Sequence, residues 1–87
     1  MRDKLGRGVI RLGDPTDHGG KVTTSFDELR VLGLPVAGEG SLAWCPRCSG
    51  EFRLLPGAAR RHHGKAIAFD GDPTACGARL ISTVKAH

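Results

Sequence analysis

The residues of this chain best suited to chemistry are three cysteines and a histidine. Cys45-Pro46-Arg47-Cys48 is a Cys-x-x-Cys knuckle, a spacing that lets two thiolates reach one ion from a tight turn. Cys76 makes the number of cysteines odd, so a complete disulfide framework would leave one thiol unpaired. Because a chain of 87 residues buries only a small core, we expect disulfides or a bound metal to stabilise it further. The odd number of cysteines favours the metal.

An internal repeat relates the cysteines to a histidine. The segment Gly13-Asp14-Pro15-Thr16 recurs as Gly71-Asp72-Pro73-Thr74, and a weaker copy between them aligns Gly40 with Gly71. In each copy a metal-capable side chain follows a glycine by five residues, and these side chains are His18, Cys45 and Cys76. Three similar units packed around one axis bring equivalent positions together. We therefore predict one structural Zn²⁺ held by His18, Cys45 and Cys76, with Cys48 as the fourth ligand that closes the tetrahedron.

The same residues allow other interpretations. The knuckle could be a redox pair, although that chemistry is typical of a thioredoxin-like βαβ unit, and this chain has no long helix. His62 or His63 could replace a cysteine as ligand, but in the register of the repeat His63-Gly64 matches the turn Leu32-Gly33, away from the knuckle. Trp44 precedes a predicted ligand and is interpreted as packing against the apolar wall of the site.

Asp14 and Asp72 are the residues that most resemble catalytic carboxylates. Both stand in Gly-Asp-Pro-Thr, where an aspartate side chain accepts hydrogen bonds from backbone amides of a turn. The sequence shows no nucleophile beside a base and no glycine-rich phosphate loop before a helix, and the predicted zinc site leaves no position for water. We therefore expect no enzymatic activity.

The elements that would position these ligands are short strands. The 13 Gly and 5 Pro divide the chain into segments too short for a long helix, which predicts an all-β domain spanning residues 1–87. The order Ser25-Phe26-Asp27-Glu28 is that of a helix capping box, but the segments around Leu32-Gly33 favour a hairpin with glycine at its turn. We predict three pseudo-threefold β-hairpin repeats that form a tapering body with the metal near its narrow end.

Charge and hydropathy limit the partners and the compartment. The net charge of +4 is below that of many polyanion binders, so no nucleic acid is expected as a partner. The first residues are charged and contain glycine, and no apolar run reaches the length of a bilayer span. We therefore expect cytoplasmic synthesis without a signal peptide, under conditions that keep the thiols reduced.

Most of the chain, roughly residues 9–84, resembles the PAAR-repeat proteins of the type VI secretion spike. The resemblance is carried by VIRLGDPTDHGG at 9–20, LPVA at 34–37 with the knuckle after it, and AIAFDGD at 66–72 followed by TACG at 74–77. The chain departs from the family where Gly38 replaces the namesake arginine and Ala66 replaces a proline. Asp72 and Cys48 stand where many members have histidine.

The resemblance implies a small conical domain whose broad base docks on the blunt β-helical end of the trimeric valine-glycine-repeat (VgrG) spike protein. Its metal-bound apex would meet the envelope of the target cell and aid membrane puncture. Because the chain shows no toxin extension, any effector protein would be bound noncovalently or carried by another protein, and this protein would leave the cell with the spike.

Two other functions share parts of this pattern. A zinc-ribbon-like nucleic-acid-binding module would explain the knuckle, but it predicts a second knuckle and a basic face with interleaved aromatic residues. A contractile phage tail-tip protein would have the same fold and differ only in its assembly.

Overall fold

The structure is a computed structural model that describes residues 7–26, 29–57, 61–62 and 64–84. Within these ranges every regular element is a strand, which confirms the predicted all-β class. None of the described residues forms a helix long and apolar enough to cross a membrane. The strands are β1 (Lys21–Val22), β2 (Arg30–Val31), β3 (Leu34–Pro35), β4 (Leu42–Cys45), β5 (Gly50–Arg53), β6 (Arg61–His62) and β7 (Lys65–Ala66).

A closed ring of backbone hydrogen bonds defines the centre of the fold. The amide of Ile10 donates to the carbonyl of Ala68 at 2.9 Å, Ala68 donates to Ala37 at 3.0 Å, and Ala37 donates to Ile10 at 2.9 Å. All three side chains are fully buried. Each residue precedes its own repeat glycine by three positions, so the ring relates the three repeats by a pseudo-threefold axis. The predicted pseudo-threefold arrangement is therefore confirmed.

The same tight turn follows each of the three ring residues, Ile10, Ala37 and Ala68, and each of these residues with its neighbours is called a ring segment. The glycine of the turn has a left-handed φ of 87° or 88°, and the next residue accepts a hydrogen bond from the amide three positions earlier. The donor and acceptor pairs are Arg11 N with Asp14 Oδ2 at 2.8 Å, Gly38 N with Ser41 Oγ at 3.1 Å, and Phe69 N with Asp72 Oδ2 at 2.8 Å. The turn role predicted for the two aspartates is confirmed, and a serine performs it in the second repeat.

This equivalence predicts how substitutions of Asp72 rank. Asp72→Ala removes the acceptor for the Phe69 amide and for the Arg7 guanidinium, so the free energy of unfolding should fall by about 1–3 kcal/mol. Asp72→Ser keeps a short oxygen acceptor like that of Ser41 and should lose distinctly less. Urea denaturation of both variants measures the difference. Equal losses would contradict the equivalence of the three turns.

Each turn leads into a hairpin, and the three hairpins pair side by side around the axis. β1 of the first repeat pairs with β4, which continues into β5. Leu54, which follows β5, bridges to Thr74 of the third repeat, and Leu80 of that repeat bridges back to Thr16 of the first. The wall of strands therefore closes on itself, so that within the described residues no sheet edge is left free at this level.

Two apolar clusters lie along the axis. The first combines the ring side chains with a second equivalent set, Val22, Leu54 and Leu80, and with Ala43. The other cluster contains the three residues that directly precede the ring residues, together with Phe69. Its members are Val9, Val36, Ile67 and Phe69, and the side chains of Phe26, Leu29, Val31 and Val84 pack against it.

Two short ribbons precede the ring segments. β2 pairs with β3 through the turn Leu32-Gly33, whose φ values are 52° and 86°. β6 pairs with β7, and Gly64 before β7 has a φ of 80°. A guanidinium closes each turn, because Arg30 donates to the Gly33 carbonyl and Arg61 donates to the Gly64 carbonyl. The hairpin predicted at Leu32-Gly33 is thus observed, whereas residues 27–28 of the alternative capping box lie outside the described ranges.

Candidate metal centre

The tips of the three hairpins converge on one group of metal-capable side chains. The ligand atoms of His18, Cys45 and Cys76 all lie within 4.8 Å of one another. Cys45 Sγ is 3.6 Å from His18 Nδ1, and Cys45 is buried whereas the other two side chains are half-buried. Residues separated by 27 and 31 positions in the chain thus meet because the pseudo-threefold fold superimposes their repeats.

The local structure around two of the ligands is the same. His18 and Cys76 each occupy a turn whose next residue is a glycine with positive φ, 81° at Gly19 and 88° at Gly77. The amide of each glycine donates to the carbonyl of a threonine three residues earlier, at 3.1 and 3.0 Å. Glycine permits the left-handed conformation that points the preceding side chain towards the axis.

The second repeat carries an insertion at its tip, and the insertion supplies Cys48, the predicted fourth ligand. Leu54 follows Cys45 by nine residues, whereas Val22 and Leu80 follow their own ligands by four. The added residues form the turn between β4 and β5 and place Cys48 at its exposed rim. A hydrogen bond with Cys45 and the proximity of Cys76 raise the pKa of the Cys48 thiol. Among the described residues, the group of ligand atoms that lie within 4.8 Å of one another does not include Cys48. Its role as fourth ligand stays a prediction.

Cys76 has the opposite electrostatic setting. Burial alone would raise the pKa of its thiol, but hydrogen bonds from the Thr74 hydroxyl and the Ala78 amide outweigh that effect and lower it. The Thr74 hydroxyl lies 3.2 Å from Cys76 Sγ. Of the two thiols, Cys76 therefore ionises more readily, and the thiolate is the form that binds metal.

The imidazole of His18 is oriented from both sides. Nδ1 faces the thiol of Cys45, while Nε2 lies 3.9 Å from a carboxylate oxygen of Asp17. The same carboxylate oxygen accepts a hydrogen bond of 2.8 Å from the Arg79 amide, which holds it in place. At 3.9 Å the carboxylate makes no direct hydrogen bond to the ring, and it acts on the imidazole electrostatically. This arrangement assigns Nδ1 as the nitrogen that would contact an ion.

The donor set fits zinc. One imidazole with two or three thiolates is a common ligand set of closed structural zinc sites, and soft sulfur donors disfavour magnesium and calcium. Sites of this kind hold a chain together and have no open position for substrate. His18, Cys45 and Cys76 would hold the ion, with Cys48 as the predicted fourth ligand. Zinc bound there would link the three hairpin tips, where the apolar core is thinnest.

The other candidate residues lie elsewhere. The backbone of His62 pairs with Lys65 in the second ribbon, and His63 lies outside the described residues. Asp14 and Asp72 are buried and engaged in their turns. The interpretation that Trp44 packs against the site is wrong, because its side chain is 41% exposed. Side chains alternate along β4, so Cys45 points inwards and Trp44 points outwards.

Three contributors to this region did not emerge from the sequence. Ser41 replaces aspartate in the second turn, Asp17 supports the histidine, and Thr74 contacts a cysteine. Thr74 could have been found, since the repeated Gly-Asp-Pro-Thr places a threonine two residues before His18 and before Cys76. Nothing in the sequence pattern distinguishes Asp17 from an ordinary exposed turn residue.

Comparison with known proteins agrees with this architecture. The PAAR motif family matches residues 12–82, and no curated protein matches the chain. Gly38 stands where the family has its namesake arginine, and the structure gives a reason for glycine at this position. A Cβ atom here would overlap the carbonyl oxygen of Ala66 and lie 3.0 Å from the Phe26 ring. A match over this length, together with the threefold all-β fold and its cluster of metal-capable side chains, shows that the chain belongs to the PAAR motif family.

Proposed function

We propose that this protein is a non-catalytic spike tip that caps the trimeric VgrG spike of a type VI secretion system. The observation that carries the proposal is the ring of hydrogen bonds among Ile10, Ala37 and Ala68. It gives a single chain pseudo-threefold symmetry, which matches the threefold end of a trimer. The PAAR motif family to which the chain belongs supports the same role.

The two ends of the body differ in a way that suits docking at one end only. The ligand hairpins follow the ring residues in the chain, and the ribbons β2–β3 and β6–β7 precede them. We infer from this order that the two sets lie on opposite sides of the ring. The ribbon end carries the most exposed large apolar side chain described, Leu32 at 78% exposure, with Leu34 beside it at 39%. Apolar and basic side chains at this end would cover the open end of a β-helical trimer.

The metal end would serve as the penetrating tip. A metal at the meeting point of three hairpins resists their separation under force more than the thin apolar core alone could. The protein would be made in the cytoplasm and expelled with the spike, and noncovalently bound effectors would travel with it. The contact of the tip with the target envelope would be transient.

Binding to a purified trimeric VgrG protein tests the proposal. We expect one chain per trimer in gel filtration with light scattering. Leu32→Asp should weaken this binding at least tenfold, because it places a charge in the docking surface. Leu55→Asp is the matched control, since Leu55 is exposed on the strand wall and its substitution should change the affinity less than twofold.

Both variants should retain the metal content and the melting temperature of the parent. A chain that folds and binds metal but forms no complex with the trimer would contradict the spike role. Equal affinities for the two variants would instead place the docking surface away from the β2–β3 ribbon.

A further inference from the structure

The three repeats differ in what stands two residues before each ligand. These equivalent positions hold Thr16, Ala43 and Thr74, and all three side chains are buried. In the third repeat the threonine hydroxyl lies 3.2 Å from Cys76 Sγ. In the first repeat the equivalent hydroxyl is turned away from the ligand and accepts a hydrogen bond of 3.1 Å from the amide of Gly20.

The hydroxyls of Thr16 and Thr74 have different hydrogen-bond partners because the ligands beside them differ in charge. His18 binds metal as a neutral imidazole, whereas a cysteine binds as an anionic thiolate that attracts hydrogen-bond donors. The backbone turn is the same in both repeats, since the amides of Gly19 and Gly77 donate to the carbonyls of Thr16 and Thr74. The difference therefore lies in the partner of the threonine hydroxyl. In the second repeat the equivalent residue is Ala43, which has no hydroxyl that could donate to Cys45.

We propose that Thr74 is a positioning residue of the metal centre, whose hydroxyl donates a hydrogen bond to the Cys76 thiolate and thereby raises the affinity for zinc. The inference rests on the zinc site predicted from His18, Cys45 and Cys76. With Cys48 as the predicted fourth ligand, three thiolates around a divalent ion leave a net negative charge, and a buried donor on one sulfur disperses it. The hydroxyl also fixes the direction of the Cys76 side chain, so less freedom is lost when the ion binds.

Competition with a chromophoric chelator under reducing conditions measures the effect. Thr74→Val should lower the zinc affinity by about tenfold, the lower end of the range found when outer-shell partners of metal ligands are removed. Thr74→Ser retains the hydroxyl and should stay within about threefold of the parent. Thr74→Ala removes the hydroxyl without added bulk, so it provides the same comparison if the valine variant does not fold.

Thr16→Val is the matched control. It makes the same change at the equivalent buried position, where the hydroxyl is the acceptor for the Gly20 amide and not the partner of a thiol. It should destabilise the fold while changing the zinc affinity less than twofold. Cobalt substitution adds a spectroscopic readout: loss of the donor leaves a more electron-rich sulfur, so the sulfur-to-cobalt charge-transfer band should move to lower energy in Thr74→Val only.

The possible results are distinguishable. Equal zinc affinities for Thr74→Val and Thr16→Val, or an unmoved cobalt band in Thr74→Val, would overturn the role of Thr74 while leaving the metal site intact. A serine variant as weak as the alanine variant would also overturn it. A parent protein that binds no zinc would remove the site and this inference together.

Discussion

Replacing Cys76 by serine is expected to abolish stoichiometric zinc binding and to destabilise the whole domain. Serine keeps the shape of the side chain but is not deprotonated at neutral pH, so it cannot replace a thiolate ligand. Because a structural zinc site does not exist in the unfolded chain, its binding free energy is folding free energy. We expect a loss of about 3 kcal/mol or more, which for a domain of this size lowers the melting temperature by roughly 12–24 °C.

Elemental analysis and calorimetry on the same sample measure both effects. Ala75→Ser introduces the same hydroxyl at the exposed neighbouring position and should leave metal content and melting temperature unchanged. Removal of zinc from the parent by a strong chelator should reproduce the effect of Cys76→Ser. A Cys76→Ser protein with one zinc per chain and the melting temperature of the parent would exclude Cys76 from the site.

Gly20→Ala is expected to have the second largest effect. A Cβ atom at Gly20 would overlap the carbonyl oxygen of Trp44 and lie 2.9 Å from its carbonyl carbon. These are backbone atoms of β4, so they cannot move aside without opening the pairing of β1 with β4. We expect a loss of about 3 kcal/mol or more, at the upper end of what overpacking costs. Because the opened strands carry the segments of His18 and Cys45, zinc affinity should fall as well.

The matched control for this substitution is Gly57→Ala. Gly57 is exposed, and the nearest atom to an added Cβ is a carboxylate oxygen of Asp72 at 3.9 Å, an ordinary contact distance. Its substitution should change the free energy of unfolding by less than about 0.5 kcal/mol. Urea denaturation with zinc present compares the two variants. If Gly20→Ala unfolds at the same urea concentration as Gly57→Ala, β1 and β4 do not approach as closely as described.

The sequence predicted the parts of this fold that recur within the chain. The common spacing from Gly13, Gly40 and Gly71 to the metal-capable residues reflects one backbone turn used three times, so its geometry could be expected from the repeat. The hairpin at Leu32-Gly33 was predictable because a two-residue turn with positive φ at both positions favours glycine. The metal cluster followed from superimposing the repeats.

Features that depend on contacts between repeats could not be predicted in the same way. The ring through Ile10, Ala37 and Ala68 uses backbone groups, which leave no mark on residue type. The outward direction of Trp44 depends on the register of β4 against its neighbours, and a shift of one residue would reverse it. The position of the Asp17 carboxylate near His18 depends on a contact between repeats, because the Arg79 amide of the third repeat holds it.

The coordination shell of the bound ion tests the central claim most directly, and X-ray absorption at the zinc edge measures it in solution. We predict one zinc per chain with one nitrogen at about 2.0–2.1 Å and three sulfurs at about 2.3 Å. Two sulfurs with one additional light ligand would remove Cys48 from the site and retain the other three. A shell of oxygen and nitrogen alone, or a folded chain that retains no zinc, would contradict the convergence of His18, Cys45 and Cys76 on one ion.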